Sequence, residues 1–73
     1  MSVQNTLSMH DVVALLEDRH DLNLAKGQVG TVVDVWGTDT YEVEFADRDG
    51  RTIALTALKS SDLMQLHFDQ RAA

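Results

Sequence analysis

The segment KGQVGTVVDVWGTDTYEVEF, from Lys26 to Phe45, decides how this chain folds. Its second half alternates without a break: Tyr41, Val43 and Phe45 share one parity, Glu42 and Glu44 the other. A period of two marks a half-buried β-strand, because successive side chains leave opposite faces of the pleat. The first three should face a core and the two glutamates water. Gly37-Thr38-Asp39-Thr40, just before, has the composition of a turn. Ahead of that turn lies the partner strand. Its parity puts Val29, Thr31, Val33 and Val35 inside. Val32 and Trp36 then flank Asp34 on the outer face, unless a bulge at Gly30 shifts the register.

On the C-terminal side, Asp47-Arg48-Asp49-Gly50 is a hairpin signal. Arg51–Ala57 is the returning strand, with Ile53 and Leu55 expected inward and the threonines outward. On the N-terminal side, Asp11–Glu17 is short and Val-rich and reads as a buried strand, although Val12, Leu15 and Leu16 also fit a helical face. Asp18–Ala25 reads as a loop whose Leu22 and Leu24 tuck onto the core. Ser60-Ser61 leads into Asp62–Leu66, a closing strand or a helix capped by Ser61. Residues 1–9 show no period and read as a flexible leader, 10–68 as the domain and 69–73 as a tail.

Five short strands, three of them in a meander, with glycines at the bends, describe a small all-β barrel. An OB fold needs a helix between its third and fourth strands, and no helical segment fits there. The expected architecture is a five-stranded SH3-like barrel.

Seventy-three residues make one domain, and 44% hydrophobic content is enough for a core. There are no cysteines, so packing alone must hold it and no thiolate metal site exists. The first ten residues lack the charged start and apolar run of a signal peptide, and the longest apolar run, Val12–Leu16, is too short to span a bilayer. A cytoplasmic location without membrane contact is expected. Twelve acidic against six basic side chains give a net charge of −6. Such a surface repels phosphate backbones and favours a basic protein partner, besides keeping a small protein soluble.

The succession D-V-V-A-L-L-E-D, K-G-x-V-G-T-V-V-D-V, Y-E-V-E-F-x-D-x-D-G-R-T-x-A-L and a closing L-x-Q-L, between Met9 and Leu66, resembles a small bacterial family known as domain of unknown function 4926. The loop after the first strand departs from that family in having no proline. The resemblance implies an SH3-like barrel but no reaction, so no catalytic residues carry over. An association of some members with toxin-like proteins implies an antitoxin or immunity role.

Candidate sites are few. Asp18, His20 and Asp21 share a loop, but a zinc site needs three or four converging ligands, and solvated loop residues are the simpler reading. His10 and His67 stand apart from them. Glu42 and Glu44 lie roughly 7 Å apart along one strand face, pointing to solvent rather than into a pocket where an acid–base pair would work. Ser60 and Ser61 have no base nearby in the pattern. Gly27 and Gly30 lack the spacing of a phosphate loop. The expectation is a non-enzyme, with no catalytic residue, cofactor or metal. Trp36 is either a hot spot on the outer face or a cap on the barrel end. With Asp34, Glu42 and Glu44 it forms the candidate partner-binding surface. The alternatives are a KOW-like barrel associated with RNA, served by Lys26, Arg48 and Arg51 but opposed by the acidic excess, and a self-associating module that pairs exposed edge strands as a homodimer.

Overall fold

The computed structural model describes residues 7–67. Five strands, β1 (Val12–Leu15), β2 (Val29–Trp36), β3 (Thr40–Ala46), β4 (Thr52–Lys59) and β5 (Leu63–Gln65), form one antiparallel sheet in the order β4-β3-β2-β1-β5. The only helical turns among the described residues are 3₁₀, at His20–Leu22 and Ser60–Asp62. The fold is all-β and of the five-stranded SH3-like kind: a β2–β3–β4 meander, with β1 beside β2 and β5 beside β1. The two segments that admitted a helix, 11–17 and 61–66, are strands at their centres. Of the leader expected at residues 1–9, residues 1–6 lie outside the described residues, as do Phe68 and the tail expected at 69–73.

The sheet curls around Val13, Leu15, Leu24, Val32, Tyr41, Val43, Phe45, Leu58 and Leu63, with Leu22 and Ala54 packed against them. β3 sets the inside, since Tyr41, Val43 and Phe45 are all buried as their alternation requires. Directly opposed residues of neighbouring strands share a face, so the partners of these three must also point inward. On β2 those partners are Gly30, opposite Phe45, and Val32, opposite Val43. Val32 is therefore buried, and the parity expected for this strand is reversed over its first half. Val29 is half exposed and Val33 only half buried. A register shift between Val32 and Asp34 then adds one residue to β2. The bulge sits at Val33, not at Gly30. Beyond it Asp34 and Trp36 face outward as expected, while Val35 has the inward parity but remains exposed past the core.

β4 is reversed from Ala54 on, while Thr52, beyond the register shift that makes Ile53 the extra residue, faces outward as expected. Ala54, Thr56 and Leu58 oppose Phe45, Val43 and Tyr41. Ile53 and Leu55, expected inside, are 45% and 58% exposed. The reason is volume. Close-packed interiors admit only what fits, and small residues on β4 sit across from Phe45 and Val43 on β3.

Leu7, placed by the sequence in a flexible leader, is a core residue at 3% exposure. Its N–H donates to the buried Tyr41 hydroxyl at 3.2 Å. The chain then runs along β2, with His10 N–H donating to Val32 O at 2.7 Å and Val32 N–H to Asp11 O at 2.9 Å.

Candidate functional site

The outer face of β2 and β3 is built from the bulge upward. Because Val33 absorbs the extra residue, Asp34 comes to lie directly opposite Glu42, and Trp36 opposite Thr40. Glu44 lies further along the same face, between Thr31 on β2 and Leu55 on β4. Trp36 is 53% exposed, so it is no cap on the barrel. Its indole Nε1–H donates to Glu42 Oε1 at 3.0 Å, which fixes the ring beside the carboxylate. Asp34 Oδ1 accepts the Val35 N–H at 2.8 Å. Glu44 is engaged by the Thr52 hydroxyl. The structure thus gathers Trp36, Asp34 and Glu42 into one cluster and leaves Glu44 at its border.

The electrostatics of this cluster are unbalanced. Two carboxylates set directly opposite each other on neighbouring strands repel and cost stability. Asp34 and Glu42 have that relation, and neither is in an ion pair among the described residues. Lys59, opposite Thr40 on β4, is the nearest cation by register.

A family model described as Domain of unknown function (DUF4926) matches residues 9–65. The chain belongs to that family. No curated protein and no solved structure matches it. The matched span covers all five strands of this DUF4926 chain, and with them Asp34, Trp36, Glu42 and Glu44. It also covers Ile53 and Leu55, the two exposed apolar residues of β4 that the sequence placed in the core. Nothing in the pattern IALTAL marks either parity as outward. Only the pairing with β3 does.

The Asp18–Ala25 loop folds as its leucines require, with Leu24 buried and Leu22 against the core. A shallow cavity of about 290 Å³ lies over it, lined by Asp18, His20, Asn23, Leu24, Ala25 and Gln28. His20 Nε2 and Asp18 Oδ2 are 4.0 Å apart, and Asp18 Oδ1 accepts the Lys26 N–H at 2.7 Å. Asp21 turns away to Arg19, with paired contacts of 3.1 Å. The Arg19 guanidinium holds the Asp21 carboxyl below the usual range, and its own pKa is raised in return. Asp18, His20 and Asp21 therefore do not converge, and no three metal-ligating side chains do so among the described residues. No helix among those residues is long and apolar enough to cross a membrane.

Proposed function

We propose that this DUF4926 chain is a protein-interaction module that takes a basic segment of another protein on the outer face of β2 and β3. The observation that carries the reading is the Asp34–Glu42 pair, two carboxylate residues at directly opposed positions on one face, neither of them in an ion pair among the described residues. An arginine or lysine seated there would remove the repulsion and gain charge-assisted hydrogen bonds. The adjacent Trp36, exposed but held by Glu42, offers a flat apolar surface against which an arginine can stack. A protein partner, not RNA, suits a face whose carboxylates repel phosphate. Binding rather than catalysis is the role. It belongs in the cytoplasm, in keeping with a chain that has no cysteine. If the partner is a basic toxin, the module is its antitoxin or immunity protein.

Trp36 supplies the test, being the only tryptophan. Titration with an arginine-rich peptide, its acidic counterpart and the product of the adjacent gene should change Trp36 fluorescence for the basic ligands alone. Added salt should weaken that binding, and Glu42→Gln should reduce it. Unchanged fluorescence with every basic ligand at low salt would overturn the reading.

A further inference from the structure

β4 is an edge strand, paired with β3 on one side only. It runs for eight residues, Thr52–Lys59. An open edge presents a row of unpaired N–H and C=O groups, and soluble proteins blunt such edges with charges, prolines or bulges. Thr52–Leu58 contains no charge, no proline and no glycine. Its protections are Lys59 at its last position and the register shift near its start, between Phe45 and Ala46 on β3. Leu55 is 58% exposed on the outward face of this strand, with Ile53 beside it at 45%.

We propose that β4 pairs antiparallel with β4 of a second copy of this chain, forming a two-fold dimer. The edge complements itself. With the two-fold axis at Ala54, Leu55 of each copy opposes Ile53 of the other on the outward face. The bulge at Ile53 puts Thr52 on the outward face while Thr56 faces in, so the paired positions end at Leu55 and Ile53, and Lys59 of each copy runs on toward the Asp47–Gly50 turn of its partner, which carries Asp49. Neither Lys59 nor Asp49 is in an ion pair among the described residues, so each is available to the other.

The acidic face does not forbid this arrangement. Glu44 lies one strand in from the edge. The two copies of Glu44 are separated by three strand spacings, about 14 Å, beyond the screening length of about 8 Å at physiological salt. The assembly also closes at two copies. The opposite edge, β5, is three residues long and gives no matching template for β4. Pairing identical edges is isologous and consumes β4 in both copies, so no fibre follows. The outer faces of both copies then lie on the same side of a continuous sheet. Two Trp36–Asp34–Glu42 clusters are displayed together, although the dimer stands or falls independently of what those clusters bind.

Light scattering coupled to gel filtration tests the pairing. The wild-type chain should show twice the chain mass at high concentration and dissociate on dilution. Leu55→Lys should be monomeric throughout. Lys59→Glu should shift the equilibrium toward monomer, and Lys59→Glu combined with Asp49→Lys should restore the dimer. Leu55 points to solvent, so its variant should keep the β-sheet circular dichroism. If it does not, the charge reversal and its rescue decide alone. A wild-type monomer at every concentration would overturn the proposal, as would a dimer indifferent to Leu55→Lys. So would a dimer that only Met64→Lys disrupts, since Met64 is the exposed residue at the centre of β5 and that result would move the interface there.

Discussion

A Cβ placed on Gly30 would lie 2.8 Å from both Cδ1 and Cε1 of the Phe45 ring, its partner across β2 and β3. The same Cβ would meet Val43 Cγ1 at 2.8 Å. The ring of Phe45 thus occupies the volume that any other residue at position 30 would need. The glycine is required by close approach inside the barrel rather than by a bend. Gly30→Ala should therefore destabilise the fold by overpacking, by about 1–3 kcal/mol, lowering the melting temperature by about 4–8 °C for each kcal/mol. Gly30→Ala melting with the wild type would refute the tight packing.

Tyr41 reaches in the other direction. Its hydroxyl accepts the N–H of Leu7, and both residues are buried. Tyr41→Phe keeps the ring and removes the acceptor, leaving a buried backbone donor unsatisfied. The expected loss is about 1–3 kcal/mol. Faster hydrogen exchange of the Leu7 amide, with slow exchange retained in β2 and β3, would locate the loss at the segment preceding β1. Uniformly faster exchange would mean that the hydroxyl serves the whole barrel.

What was legible in the sequence follows from where each strand's constraint resides. β3 announces its own faces, since Tyr41, Val43 and Phe45 alternate with two glutamates and no other arrangement buries the apolar set. β2 and β4 carry apolar residues on both parities, and their faces are imposed by β3 through pairing. Hydrophobicity favoured Ile53 and Leu55 for the core, whereas the space beside Phe45 and Val43 selects Ala54 and Thr56. Trp36 and Asp34 face outward as their sequence parity suggests, because the bulge at Val33 restores the parity that the reversed first half of β2 changes. The contact between Trp36 and Glu42 depends on that bulge, which nothing in VGTVVDVW marks. Leu7 is not legible for a related reason: a single residue has no period, and its burial rests on Tyr41, far along the chain.

The Arg19–Asp21 pair predicts a small dependence of stability on pH. Its guanidinium depresses the Asp21 pKa in the folded state. The unfolded chain then takes up a proton on Asp21 at a higher pH than the folded chain does. The stabilisation is present above the ordinary aspartate value and is lost as the pH falls through the lowered one. Both groups are solvent-accessible, with side-chain exposures of 34% and 65%, so screening keeps the effect slight. Melting curves of wild type and Asp21→Asn should differ a little at neutral pH and converge in acid. Divergence on acidification would contradict the sign.

The Asp34–Glu42 pair should show opposite effects on stability and on binding. Like charges opposed across neighbouring strands are destabilising, with cross-strand pair energies of roughly 0.2–1 kcal/mol. Glu42→Gln removes one charge yet keeps an oxygen that can accept the Trp36 indole N–H. Asp34→Asn likewise keeps an acceptor for the Val35 N–H. Each variant should therefore melt slightly above the wild type, and both together should gain less than the sum, since either one abolishes the same repulsion. Affinity for an arginine-rich peptide, followed by Trp36 fluorescence, should fall in the same variants. A surface that served only solubility would show the gain in stability without the loss of binding. Carboxylates shielded from each other by solvent would show neither. Only a face kept unbalanced for a cationic partner joins a higher melting temperature to weaker binding.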